Sequence, residues 1–149
     1  MHVLLLLLAL AAPAQTRTVT WPDGSFSLEV PAEWDWSEEK KLESGADVAW
    51  VALAPHWEDA LVVIKPKTEP LEWLTAHDAS IGARMSKPVT ERRKDGSRRI
   101  TYTTKDKDGT SYGFVYVIRG VMLEAESEKN VETDALKHAV ASLRWLREP

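Results

Sequence analysis

The chain has 149 residues, 19 of them Lys or Arg and 23 Asp or Glu, for a net charge of −4 and no cysteine. A mildly acidic chain with interspersed charges offers no electrostatic basis for binding nucleic acid. The lack of cysteine excludes a disulfide scaffold, a thiolate zinc site, a cysteine nucleophile and a lipid-modified cysteine anchor.

The chain opens on an apolar run, residues 3–11, and Ala12 and Ala14 then place small side chains at −3 and −1 before Gln15. This is the layout of a secretory signal peptide, and the run is shorter than the roughly 20 residues of a membrane-spanning helix. The expectation is a signal over 1–14, no transmembrane segment, and an exported domain over 15–149, periplasmic or secreted. A domain of that size buries a core without staples.

Three Asp-Gly dipeptides, at 23–24, 95–96 and 108–109, lie between β-prone runs and predict hairpin turns with two consecutive positive φ angles. The first joins strands over 18–21 and 25–30. In its second arm Phe26, Leu28 and Val30 alternate with Ser27 and Glu29, and Pro31 ends the strand. Residues 37–42 fit one or two exposed helical turns or a loop, and the apolar runs 48–53 and 60–64 predict buried strands.

A helix is predicted over 70–85. Thr68 is its expected cap, Glu69 and Glu72 suit its positive end, and Leu71, Leu74, Ile81 and Met85 share one side. A four-stranded meander follows over 89–94, 97–105, 110–118 and 121–127, with its last turn at Arg119-Gly120. In the third strand Tyr112, Phe114, Tyr116 and Ile118 line one face and Val115 and Val117 the other, so the strand is covered on both sides. A last helix is predicted over 132–147, capped by Asn130 or Thr133. Leu136, Val140, Leu143 and Leu146 fall at helical spacing, with Arg144 and Arg147 near its negative end. The expected core takes in Val51, Leu53, Val62, Ile64, Ile100 and Leu123 as well. The fold class is α+β on an antiparallel sheet.

Phe26, Leu28, Val30, Pro31 and Trp34 form an F-x-(aliphatic)-x-(aliphatic)-P-x-x-W run that resembles the opening of the PsbP-like superfamily. That group includes the extrinsic P protein of oxygenic photosystem II and small exported bacterial proteins related to DcrB. Residues 139–146, with Ser142 ahead of the last apolar positions, are similar to its closing helix. The resemblance implies an α/β/α sandwich: a central antiparallel sheet, an N-terminal hairpin, a middle helix and a C-terminal helix. It implies no catalytic residues, and no partner-binding residues carry over.

Candidate chemistry is sparse. Gly109, Ser111 and Gly113 match G-x-S-x-G, with Asp134 and His138 in hydrolase order, but such a serine needs a strand-to-helix elbow and Ser111 opens a strand. Asp106 and Asp108 suggest a calcium loop whose first and last ligand positions, Thr104 and Val115, are not carboxylates. His56, His77 and His138 lack paired metal-ligand spacing. No cofactor is expected.

Binding candidates are more numerous. Arg92, Arg93, Arg98 and Arg99 flank the Asp95-Gly96 turn, which would oppose Arg93 to Arg98 or Arg92 to Arg99 and present an anion-docking patch. The alternative is a solvated hairpin protected against edge pairing. Trp34 and Trp36 alternate in an extended stretch as one aromatic candidate, and Trp57 beside His56 is another. The expected function is non-catalytic binding of a protein partner in the envelope or outside the cell. A small-ligand carrier, with a Trp- and Tyr-lined pocket between sheet and helix, is the alternative, and a hydrolase centred on Ser111 comes third.

Overall fold

The computed structural model describes residues 15–39, 49–53 and 60–148, with backbone only for 38–39 and 49–53. Trp57 and His56, and the side chains of Val51 and Leu53, lie outside the described residues.

Two sheets, antiparallel throughout, form among the described residues. Strands β1 (Thr16–Thr20), β2 (Phe26–Pro31) and β10 (Arg144–Trp145) make a three-stranded sheet in the order β1-β2-β10. The second sheet holds β3 (Asp35–Glu39), β4 (Ala49–Leu53), β5 (Ala60–Ile64), β6 (Arg84–Arg92), β7 (Arg98–Lys105), β8 (Thr110–Ile118) and β9 (Val121–Ser127). Its order is β3-β4-β5-β9-β8-β7-β6. Helix α1 (Pro70–Ser80) links β5 to β6, and α2 (Asp134–Ser142) follows β9.

Alternation along the central strands sorts the core into two layers. Phe114 and Tyr116 of β8 pack with Phe26, Leu28 and Val30 of β2 and with Leu136 and Ala139 of α2. Val115 and Val117 pack on the other face with Ile64, Ile100 and Met122, under Trp73 and Leu74 of α1. The α/β/α sandwich is therefore present, with α1 on one face of the large sheet and the hairpin sheet plus α2 on the other.

Several local expectations are corrected. Residues 35–39 form a strand where helical turns or a loop were expected from 37 onward, and 40–42 lie outside the described residues. Helix α1 ends at Ser80, not 85, because Gly82 takes φ +77 and the N–H groups of Gly82 and Ala83 return to the carbonyls of Ala79 and Asp78. Its cap is Glu69, which accepts from the Leu71 N–H at 2.8 Å, and not Thr68. Ile81 is consequently 65% exposed, and Met85 packs on the α1 face from β6.

At the other end, α2 is capped by Thr133, one of the two candidates, but stops at Ser142. Arg144 and Trp145 then pair with Ser27 and Phe26, so Leu146, Arg144 and Arg147 leave the helix and Leu146 is exposed. The open edge of β2 supplies backbone hydrogen bonds that helical spacing cannot reveal: Leu146 donates to the Ser25 carbonyl at 2.9 Å. Ser142 closes the corner by accepting the Glu29 N–H at 2.9 Å.

The Asp-Gly turns also differ from expectation, since only their glycines have positive φ. The carboxylates of Asp23 and Asp95 instead accept the N–H two residues on, at 2.7 and 2.9 Å. Among the described residues, the turn with two consecutive positive φ angles is Arg119-Gly120, at 47° and 80°.

Candidate functional site

The site is a half-open groove of about 780 Å³ where α2 overhangs one end of the large sheet. The turns β6–β7 and β8–β9 both lie at this end, because Arg98 pairs with Val117 and Ile118 with Val121. Tyr116 and Ile118 come from β8, Val140 and Ala141 from α2, and Leu143 and Trp145 from the chain that leaves the helix.

Three cations line this groove: Arg93, Arg119 and Lys137. The Arg93 guanidinium lies 5.4 Å from the Tyr116 ring centroid, and that of Arg119 lies 5.3 Å from the Trp145 ring. Glu132 also lines it, but accepts Arg99 Nε at 3.1 Å and the Tyr116 hydroxyl at 2.9 and 3.1 Å.

The basic hairpin is divided rather than presented as one patch. Three residues, not two, close the β6–β7 turn, with Arg93 N–H donating to Ser97 O at 2.9 Å. That shifts the register, so Arg92 opposes Arg98 and Glu91 opposes Arg99. Arg98 donates to Glu69 at the start of α1, while Arg99 holds Glu132 on the opposite face and lies 3.5 Å from Glu91. Of the four arginines, Arg93 alone lines the groove, and Arg92 stays exposed on the edge strand.

The aromatic pair is likewise separated. Trp34 is buried at 9% exposure in the α2-side core. Trp36 is partly buried against the same cluster.

The hydrolase constellation is not assembled. Ser111 lies on β8 and donates to Glu126 at 3.2 Å; His138 Nε2 sits 2.6 Å from Glu29; Asp134 faces Lys137 at 3.8 Å. The suspected calcium loop is a turn in which Asp106 accepts the N–H groups of Asp108 and Gly109. His77 stacks on Trp73 on the α1 side of the sheet, away from His138. Among the described residues no group of three or more His, Cys, Asp or Glu side chains could hold a metal ion.

A buried acidic cluster lies on the α1 side of the large sheet. Glu124 of β9 and Asp78 of α1 are 7% and 2% exposed and border a cleft of about 350 Å³ with Glu126. The Tyr102 hydroxyl donates to Glu124, and Thr104 donates to Asp78 at 3.1 Å. Burial, reinforced by the charges of Glu126 and Asp78, pushes the Glu124 carboxyl up to about 7 against the pull of the Tyr102 bond. Burial also raises Asp78, against the bond from Thr104. The available signal was Glu124 standing opposite Val115, where the alternation calls for an apolar side chain.

No protein-family model matches this chain, and no curated protein matches it by sequence. Solved structures do. The cyanobacterial PsbP (CyanoP) of Synechocystis sp. PCC 6803 superposes with a TM-score of 0.56 at 17% identity, over 91% of this chain and 95% of that one. The Ran-binding protein Mog1p of Saccharomyces cerevisiae superposes with a TM-score of 0.50 at 13% identity, over 89% of this chain and 96% of that one. With two-layered core, N-terminal hairpin and closing helix in the same order as the resemblance implied, this chain has the PsbP-like fold.

Proposed function

We propose that this chain is an exported, non-catalytic binding protein that engages a protein partner, in the envelope or outside the cell, through the groove beside α2. One observation carries the reading: a concave, partly apolar groove lined by two arginines, Arg93 and Arg119, that lie over aromatic rings and form no salt bridge among the described residues. Its size falls within the range of about 300–1,000 Å³ usual for ligand sites. The protein fold itself is compatible with such a role, since Mog1p is a Ran-binding protein. Export rests on the signal-like residues 1–14 and their small residues before Gln15. Among the described residues no helix is long and apolar enough to cross a membrane.

The carrier alternative draws on the same groove, which lies between sheet and helix and is lined by Tyr116 and Trp145. A half-open trough leaves one side of a small molecule in water, and so suits a chain segment better.

The test expresses the full chain, tagged at its C-terminus, in its native host. Mass spectrometry should find the N-terminus at Gln15. Affinity purification should recover a protein that Ala141→Trp, which fills the groove from an exposed helix position, releases, and that Thr90→Trp on the exposed edge strand retains. An unprocessed N-terminus would overturn export, and a partner retained by Ala141→Trp would overturn the groove as the binding site.

A further inference from the structure

The chemistry of the groove identifies what enters it, on the reading that the groove is the binding site. The chain as a whole is acidic, with a net charge of −4, yet this concavity is lined by Arg93, Arg119 and Lys137 against Asp95 and Glu132. Both acids are engaged within the chain, Asp95 also by the charge of Arg93. Glu132 is held by Arg99 and Tyr116, and Asp95 accepts the Ser97 N–H at 2.9 Å and its hydroxyl at 2.6 Å. Among the described residues Lys137 has one weak ion-pair neighbour, the fully exposed Asp134 at 3.8 Å.

Arg93 and Arg119 differ from Arg98 and Arg99 in a way that matters. The latter pair each bind a carboxylate of this chain, whereas Arg93 and Arg119 form no ion pair among the described residues. At 5.4 and 5.3 Å from the ring centroids, the two guanidinium groups lie over their rings and keep N–H donors for a carboxylate. Arg119 also has φ +47, a conformation that Asn, Asp or Gly adopts more readily. The turn thus places an arginine where a smaller residue would be easier, with its guanidinium over Trp145.

We infer that the groove takes an acidic segment of a partner protein, with carboxylates pairing with Arg93 and Arg119 and an apolar side chain against Val140 and Leu143. The cations line a concavity, which a flat anionic bilayer cannot enter, and the apolar wall would be wasted on a simple inorganic anion.

Titration of the purified, isotopically labelled protein with acetyl-DELDELDE-amide tests this directly. The amide shifts should gather on Arg119, Ala141 and Trp145. Affinity should fall roughly tenfold or more in Arg93→Gln/Arg119→Asn, and likewise in about 0.5 M salt. Asparagine suits the positive φ at position 119, so that variant preserves the turn. The control peptide acetyl-KKLKKLKK-amide should not bind.

Absence of binding, equal binding of the lysine peptide, or affinity unchanged in the double variant would overturn the inference. So would binding to phosphatidylglycerol vesicles that the acidic peptide does not displace. A partner that Ala141→Trp releases and Arg93→Gln/Arg119→Asn retains would leave the groove as the binding site and remove only the acidic segment. A partner that Ala141→Trp leaves bound would remove the groove reading itself.

Discussion

Tyr102 lies across Gly113 on the neighbouring strand so closely that a Cβ on the glycine would come within 2.1 Å of the ring carbon Cζ. The glycine creates the space that lets the ring reach over β8 and donate its hydroxyl to the buried Glu124. Replacing Gly113 by Ala should therefore destabilise the fold by about 1–3 kcal/mol through overpacking. In urea unfolding, Tyr102→Ala combined with Gly113→Ala should cost less than the sum of the two single changes. Additive costs would show that ring and glycine do not share this space.

The Glu124 carboxyl, raised from its ordinary 4.5 to about 7, makes stability depend on pH. Between these values the folded state holds a proton that the unfolded state has lost, so stability declines as pH rises through this window. The decline is worth about 3 kcal/mol for Glu124. Raised Asp78 and Glu126 act in the same direction, whereas Glu29, Glu69, Asp23 and Asp95 are lowered and act only below the ordinary carboxylate range. Denaturant unfolding should find the protein more stable at pH 5 than at pH 8. Glu124→Gln should reduce that difference, and a flat profile in the unaltered protein would contradict it.

Phe114 is 3% exposed in the layer between the large sheet and α2. Truncation to Ala should cost about 3–5 kcal/mol, as for buried phenylalanines in general. A loss below about 1 kcal/mol in thermal or chemical unfolding would show that this layer is not the main core.

Thr133 caps α2 by accepting the Leu136 N–H at 3.3 Å. Thr133→Ala should cost about 1 kcal/mol, and Thr133→Asp should recover most of it. Equal losses in both variants would mean that the hydroxyl contributes through something other than the cap.

What was legible along the chain was whatever repeats over neighbouring residues. The β6–β9 meander, the two-faced pattern of β8 and the Thr133 cap all follow from alternation, spacing and local turn chemistry. The ends of both helices were less legible. Gly82 was a local stop signal overshadowed by an apolar spacing that ran on into Met85. The stop after Ser142 had no local cause, because the alternative partner for Arg144 and Trp145 is the edge of β2, more than a hundred residues earlier.

The groove illustrates the same division. Arg93 stood out as part of a basic run, but its separation from Arg98 and Arg99 follows from a three-residue turn that shifts the strand register. Arg119, Lys137 and Trp145 are unremarkable as sequence neighbours. They become one site only because a short helix and the ends of two hairpins converge over Tyr116. Local preferences choose helix, strand or turn, since their energies depend on nearby residues. Charge pairing and concavity depend on distances in space between segments remote along the chain, and those are set only when the layers pack.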